Sequence, residues 1–214
     1  MEINEYNTSL NNISNRIAVL GNYALYSTLE ADWSDYFEHI FIPNRNPELQ
    51  IRIITCESGP ENIDNYMFSR DFLNNIIVAN TDKYLQQIYT GVFSHVNNNA
   101  LPTRRNALIE LAQQNVLILD ILPTHGIKLK PKERRRIAEN VTLGIYQMEK
   151  ILDLEFIPNI PLNYVFAVPP SLYLHNNLQN LLPNNFIERG NLNIGQGHAP
   201  SRNALENLIN LGLF

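Results

Sequence analysis

Four short apolar runs, separated by segments with apolar residues at helical spacing, constrain the fold more than any other feature. The runs cover residues 51–55, 116–119, 164–168 and 186–188. Apolar runs of this length, bounded by turn residues, are typical of buried strands. Strands that alternate with helices form a mostly parallel sheet covered by helices. The sequence therefore predicts an α/β fold, a three-layer α/β/α sandwich with a short, mostly parallel four-stranded central sheet.

Five helices are predicted around these strands, over residues 22–40, 81–91, 103–114, 131–152 and 203–211. The first should end before Pro43, which cannot continue a helix, and Gly91 should end the second. Residues suited to the start of a helix precede three of them: Thr81, Thr103, and Ser201 or Pro200. No linker of domain size interrupts the pattern. We expect residues 1–45 to form a helical extension packed on a core domain of residues 46–214.

Composition excludes several classes of protein. The chain has 214 residues, a net charge of −5 and one cysteine, Cys56. The negative charge argues against a protein that coats nucleic acid non-specifically. One cysteine rules out a disulfide framework, a cysteine-ligated cluster and a cysteine zinc site within the chain. Without an apolar membrane span or a signal peptide, the sequence predicts a cytoplasmic monomer that needs no membrane, metal or organic cofactor.

Chemically active side chains follow the predicted strands. Glu57 and Glu61 come after the first strand. Asp120 ends the second strand and His125 follows it. His198 precedes the last helix. The carboxyl ends of parallel strands meet at one edge of a sheet, where open α/β folds bind ligands. The N-terminus of the last helix would suit a phosphate there. This set of residues is suited to hydrolases of many kinds.

Three segments resemble the motifs of the uracil-DNA glycosylase superfamily, in the same order. Residues 111–120, Leu-Ala-Gln-Gln-Asn-Val-Leu-Ile-Leu-Asp, are similar to its Leu-Ala-x-x-Gly helix end and Val-Leu-Leu-Leu-Asn strand. Residues 56–61, Cys-Glu-Ser-Gly-Pro-Glu, resemble its first motif in the variant Gly-Glu-Ala-Pro-Gly-Glu. Residues 197–203, Gly-His-Ala-Pro-Ser-Arg-Asn, resemble its last motif, His-Pro-Ser-Pro. The resemblance runs from residue 51 to the C-terminus and implies a four-stranded α/β/α sandwich.

The chain departs from the family pattern at each motif. Gly59 and Pro60 stand in reversed order, and Cys56 replaces a Gly. The family variant with this motif Glu carries a four-cysteine iron–sulfur cluster, which one cysteine cannot supply. In the last motif the Pro-Ser pair stands one place later. Asp120 replaces the Asn that reads the uracil edge.

The Asp120 replacement changes which base the resemblance implies. An Asn amide offers both a donor and an acceptor, whereas an ionised Asp only accepts. Acidic side chains pair with an exocyclic amine such as cytosine N4. A modified cytosine is therefore the preferred substrate class, and uracil stays open. In the alternative interpretation, Asp120 only caps the following loop.

The resemblance implies a monofunctional DNA glycosylase that hydrolyses the N-glycosidic bond of an abnormal or modified base and leaves an abasic site. Glu57, or Glu61 in its place, would position water and stabilise the oxocarbenium-like sugar. His198 would donate a hydrogen bond to the departing base, and His125 would contribute to the base pocket. Phe68 or Tyr66 would stack on the flipped-out base, although a place in the core under the loop is the commoner role for either ring alone.

DNA-backbone contacts are expected from hydroxyl and basic side chains: Ser58, Thr124, Ser201, Arg202, Arg104, Arg105, Lys128 and Lys130. In an alternative role, Arg202 would fill the gap that a flipped base leaves, and a run of charge can also be only a solvated helix face. The biological role would be DNA repair or antiviral defence against phage with modified genomes. Two other functions stay open: a non-catalytic DNA- or nucleotide-binding module on the same scaffold, and a hydrolase of small nucleosides.

Overall fold

The computed structural model describes residues 26–49, 51–56, 66–79, 81–96, 100–120, 162–167, 186–191 and 201–212. Helix α1 (Tyr26–Tyr36) continues through a π-helical turn (Phe37–Phe41) and one further α-helical turn (Ile42–Asn44). The remaining helices are α2 (Lys83–Val92), α3 (Arg104–Gln113) and α4 (Arg202–Asn210). The strands are β1 (Arg52–Cys56), β2 (Val116–Asp120), β3 (Leu162–Ala167) and β4 (Phe186–Asn191). A short 3-10 turn covers Arg70–Phe72.

Strands β1 and β2 form a parallel pair at the centre of the described core. The backbone ladder continues in parallel to β3 on the other side of β1 and then to β4, in the order β2-β1-β3-β4. Ile53, Ile54, Leu117 and Ile118 are all fully buried. Successive strand side chains point to opposite faces, so both faces of the β1–β2 pair are covered.

The α/β class and its parallel pairing are therefore confirmed. The complete three-layer, four-stranded sandwich stays a prediction, because the side chains of β3 and β4 and the predicted helix 131–152 lie outside the described residues. The division at residue 45 also stays a prediction. Among the described residues, no helix is long and apolar enough to cross a membrane.

Two aromatic side chains of α1 cover the outer edge of β2. The backbone N–H of Arg52 donates to the carbonyl of Asn115 at 2.8 Å, so the alternating ladder directs the polar groups of Ile118 away from β1. Trp33 Nε1 donates to the Ile118 carbonyl at 3.0 Å, and the Ile118 N–H donates to the Tyr36 hydroxyl at 3.4 Å. The outward-facing N–H and C=O of Ile118 are thus satisfied by side chains instead of another strand.

The sequence predicted that the first helical segment ends before Pro43. In the structure the segment continues past this residue. The π-helical turn Phe37–Phe41 interrupts the regular hydrogen-bond ladder, and a new α-helical turn begins at Ile42. Pro43 therefore lies in a first turn, where a backbone N–H has no partner within the helix and its absence costs little.

The boundaries of α2 also differ from the prediction. The residue that precedes the helix is Asp82, whereas the sequence predicted Thr81 there. The Asp82 carboxylate accepts the Val78 N–H at 2.9 Å. Gly91 lies inside the last turn and does not end the helix. A Cβ atom at Gly91 would lie 2.9 Å from Leu205 Cδ2, so this position permits the close approach of α4.

The other two predicted helix starts are confirmed. The Thr103 hydroxyl accepts the Asn106 N–H at 3.3 Å, at the start of α3. Ser201, and not Pro200, caps α4 by accepting the Ala204 N–H at 3.3 Å.

Candidate functional site

The carboxyl ends of the strands form one level row in the sheet. Cys56 is paired in register with Asp120 on one side and with Ala167 on the other. Neighbouring strands lie about 4.8 Å apart, so Cys56 at the end of β1 lies directly beside Asp120 at the end of β2. The chain moves from β1 to β2 in one direction and reaches β3 on the opposite side of β1. A gap between strands where the chain order reverses is where open α/β sheets bind ligands.

Most of the residues predicted to carry the chemistry lie outside the described part of the chain. They are Glu57, Glu61, His198, His125, Ser58, Thr124, Lys128 and Lys130, and for Asp120 only the backbone is described. Their roles stay predictions. What the structure supplies is the strand register from which the first and second motifs emerge.

Tyr66 and Phe68 are core side chains in this structure. Neither ring has any exposed surface. Phe68 stacks on Tyr36, with ring centroids 4.6 Å apart, and the edge of Tyr66 packs on Phe68 at 5.4 Å. As placed here, neither ring can stack on a flipped-out base, because Tyr36 and the surrounding core occupy the space that a base would need.

Arg104 is a buried structural residue and does not contact solvent as a phosphate-binding side chain would. Its Nη2 lies 2.6 Å from the Asp82 carboxylate, and both side chains are almost completely buried. Its Nη1 donates to the Tyr66 carbonyl at 3.4 Å. Arg105, the next residue, is exposed and forms no ion pair within the described residues. Of the adjacent pair Arg104 and Arg105, only Arg105 is open to a phosphate.

Arg202 lies at the opposite end of α2 from Arg104. Its guanidinium donates to the carbonyl of Ser94, just beyond the end of α2, at 2.8 Å. Asp82, the partner of Arg104, precedes the start of α2. A rise of 1.5 Å per residue places Asp82 and Ser94 about 18 Å apart. The structure therefore does not bring Arg104 and Arg202 together, and the Ser201 hydroxyl oxygen accepts the Ala204 N–H as a helix cap.

Asn115 is a conformationally special residue that the sequence did not single out. It joins α3 to β2 with a φ of +55°. Its amide donates to the carbonyls of Asn46 at 2.8 Å and Leu49 at 2.6 Å, and accepts the Asn46 N–H at 2.7 Å. Asn is the residue after Gly that most readily adopts this left-handed conformation at the end of a helix. The sequence did contain a signal for this conformation, because the motif that residues 111–120 resemble has Gly at the position of Asn115.

The surroundings of Asp32 and of Tyr89 raise the pKa of each side chain. Burial raises the pKa of the Asp32 carboxyl, although Arg70 donates to it at 2.8 Å. Burial raises the pKa of Tyr89. The neighbouring Glu110 carboxylate, which accepts a hydrogen bond from the Tyr89 hydroxyl, raises it further. The Asp32–Arg70 pair joins α1 to the 3-10 turn, and the Tyr89–Glu110 pair joins α2 to α3. Within the described residues, no three His, Cys, Asp or Glu side chains are grouped to bind a metal.

Comparison with known proteins gives no relative: no family model, no curated protein and no solved structure matches this chain.

Proposed function

We propose that this protein is a DNA glycosylase-like hydrolase that removes a flipped-out abnormal or modified base and leaves an abasic site. The observation that carries the proposal is the register of the parallel strands. Cys56, which begins the first motif, is level with Asp120, which ends the second. The first motif thus begins level with Asp120, at the edge where α/β sheets bind ligands, which supports a shared site for the two motifs.

Asn115 gives independent support for the motif alignment. The family signature has Gly between its helix and its second strand, and Asn115 occupies this position with a φ of +55°. A left-handed residue at this point is the physical reason for a Gly there, and Asn meets the same requirement. The replacement of Gly by Asn is therefore compatible with the signature.

The strand order supports the sandwich that this function requires. The β1-to-β2 connection contains α2 and α3 and moves to one side, whereas the β2-to-β3 connection moves to the other. Parallel crossovers are right-handed, so the two connections should cover opposite faces of the sheet. The burial of adjacent residues Ile53 and Ile54 on both faces supports a second helical layer. The predicted helix 131–152 would supply it.

In the proposed reaction, Glu57 positions water and stabilises the positive charge that develops on the sugar. His198 donates a hydrogen bond to the departing base as negative charge develops on it. Asp120 accepts a hydrogen bond from an exocyclic amine, which favours a modified cytosine over uracil. The protein's own side chains supply each of these roles.

Excision assays on DNA test this function. Duplexes and single strands carrying uracil or modified cytosines are incubated with the protein and then treated with alkali, which cleaves at abasic sites. We expect Glu57→Gln to reduce cleavage about a hundredfold or more while DNA binding persists, because water is no longer activated. Glu48→Gln, which changes an exposed carboxylate near the start of β1, is the matched control and should cleave like the wild type.

The other outcomes distinguish the remaining functions. If the wild type cleaves none of these substrates, the glycosylase proposal is wrong. DNA binding without cleavage would then indicate a non-catalytic module, and release of a base from free nucleosides alone would indicate a small-nucleoside hydrolase. Asp120→Asn should shift the preference toward uracil, because the amide restores a donor to the base edge.

A further inference from the structure

Two large apolar side chains are exposed side by side in the segment that precedes α2. Ile76 and Val78 are 64% and 54% exposed, whereas Ile77 between them is buried. The alternation is that of an extended backbone, which directs Ile76 and Val78 to the same side. Exposed pairs of this kind are more informative than isolated apolar residues, because burial on a partner would recover their hydrophobic free energy.

The backbone holds these side chains firmly in place. The Ile77 N–H donates to the Pro102 carbonyl at 3.0 Å, and the Arg104 N–H donates to the Asn75 carbonyl at 2.9 Å. The buried Asp82–Arg104 ion pair lies at the same junction, with Asp82 also accepting the Val78 N–H. Ile76 and Val78 are therefore displayed on a rigid support, as a preformed binding surface requires.

The surroundings of the apolar pair are positively charged. Lys83 and Arg105 are exposed, and neither forms an ion pair within the described residues. Within residues 72–83 and 100–106 the only carboxylate is Asp82, which Arg104 neutralises, and the exposed Asp71 comes directly before this segment, so the two cations still outnumber the free carboxylates. A chain with a net charge of −5 thus presents a local cationic surface around two apolar side chains. This complementarity selects a polyanion that also offers apolar surface.

The same surface lies toward the strand ends. Helix α3 packs on the sheet and joins β2 through residues 114 and 115, so it runs opposite to β2. The start of α3, with Arg105, is therefore on the side of the sheet where β2 ends at Asp120. The Arg105 N–H donates to the Leu73 carbonyl at 2.8 Å, which places the segment of Ile76 at this end as well.

We propose that Ile76, Val78, Lys83 and Arg105 form a docking surface for duplex DNA, in which the apolar pair enters the base stack and the two cations contact phosphates. The proposal rests on the proposed function and names the side chains that would open the duplex. Proteins that unstack DNA insert apolar side chains between bases, and an enzyme acting on a base must extrude it. Arg202, which the sequence offered for the gap left by the base, is held at Ser94.

Binding measurements on matched variants test this surface. The probe is a short fluorescent duplex with a tetrahydrofuran abasic analogue and 2-aminopurine beside it, and its anisotropy is followed over a range of salt. We expect the double variant Ile76→Ser, Val78→Ser to bind about tenfold or more weakly and to lose the 2-aminopurine unstacking signal. Lys83→Gln and Arg105→Gln should each make the slope of log K against log salt less negative by about one.

The controls alter the same residue types elsewhere. Leu211→Ser changes an apolar side chain that is 70% exposed at the end of α4, and Arg52→Gln removes a cation at the amino end of β1. Both should bind the probe like the wild type. Circular dichroism of each variant confirms that the fold is kept before binding is compared.

The outcomes separate this surface from the glycosylase proposal. If the wild type excises no base but binds the probe, and the surface variants lose binding, the enzyme proposal fails and the docking surface stands. If the wild type excises a base and the surface variants bind and unstack as it does, the docking surface is wrong. Failure of the wild type to bind the duplex also overturns it. So does a dimer, detected by sedimentation, that the double Ser variant abolishes, because the pair would then contact a second copy.

Discussion

At the scale of single residues, Asp32 is a carboxylate whose ionisation opposes folding. It is buried in α1, and its main partner, Arg70 at 2.8 Å, is more than half exposed. Burial is the largest influence and raises the pKa of Asp32 above 3.8, whereas the bond to Arg70 lowers it. The same bond raises the pKa of Arg70. Because the Arg70 side chain is more than half exposed, solvent screens its charge, and burial therefore outweighs the ion pair at Asp32.

This direction predicts how stability depends on pH. Just above pH 3.8 the folded protein keeps a proton on Asp32 that the unfolded chain has released, so the contribution of Asp32 to stability falls as the pH rises through this window. The free energy of unfolding of the wild type, minus that of Asp32→Asn, should therefore decrease from acidic to neutral pH. Urea titrations at a series of pH values measure the difference, with Glu48→Gln as the control. A difference that increases with pH would mean that the ion pair dominates.

Residue type alone could not decide between core and DNA contact at several predicted positions. Tyr66, Phe68 and Arg104 have the chemistry of a base- and phosphate-binding site. Their burial depends on Tyr36 and Asp82, which are distant in the sequence and approach only in the folded chain. Thr103 and Ser201 were predictable as caps because their partners lie three residues away.

At the scale of elements, the contact between α2 and α4 depends on the missing side chain of Gly91. A Cβ atom there would lie 2.9 Å from Leu205 Cδ2 and 3.3 Å from the backbone oxygen of Arg202. Ala should gain about 1 kcal/mol of helix propensity but lose about 1–3 kcal/mol through overpacking. We expect Gly91→Ala to lower the free energy of unfolding by about 1 kcal/mol, measured by urea denaturation.

A mutant cycle identifies the cause of this loss. In a Leu205→Ala background the clash is mostly relieved, so Gly91→Ala should have little effect or stabilise the protein. Gly212→Ala is the backbone control: its φ is +66° and no atom lies within 4 Å of the added Cβ, so any loss there is conformational strain alone. Stabilisation by Gly91→Ala in the wild-type background would contradict a close helix contact.

Element positions were more predictable than element ends. The apolar runs located β1 and β2 to within one residue, because burial on both faces requires continuous apolar sequence. Gly91 and Pro43 were wrongly interpreted as helix-ending signals. Each obeys a second constraint, the approach of α4 for Gly91 and the π-helical turn for Pro43, that local sequence does not contain.

At the scale of the whole molecule, the common edge at which the strands end was more predictable than the distribution of charge. Parallel strands must end at one edge, so the strand-end motifs followed from the order of elements alone. The distribution of cations depended on helix packing. Arg104 and Arg202 contact residues at opposite ends of α2, and the exposed cations Lys83 and Arg105 surround an apolar pair that no motif had indicated.

One measurement can decide whether α1 unfolds together with the core, because the single tryptophan of the chain lies in this helix. Trp33 is fully buried, stacks on Phe37 with ring centroids 5.1 Å apart, and donates to the Ile118 carbonyl of β2. If residues 26–44 and the sheet form one cooperative unit, tryptophan fluorescence and far-ultraviolet circular dichroism should give the same urea unfolding transition.

We expect these transitions to coincide, with Trp33 emission at short wavelength before unfolding and at the wavelength of solvated tryptophan after it. Trp33→Phe, followed by circular dichroism, should lose about 1–3 kcal/mol, because the Ile118 carbonyl keeps its burial and loses its donor. Leu49→Ala, at a half-exposed position between α1 and β1, is the control and should cost less. A fluorescence transition at lower urea than the dichroism transition would show that the first helix detaches separately, as a true extension would. The edge of β2 would then be exposed before the sheet unfolds, and the unfolding intermediate should associate through that edge as protein concentration rises.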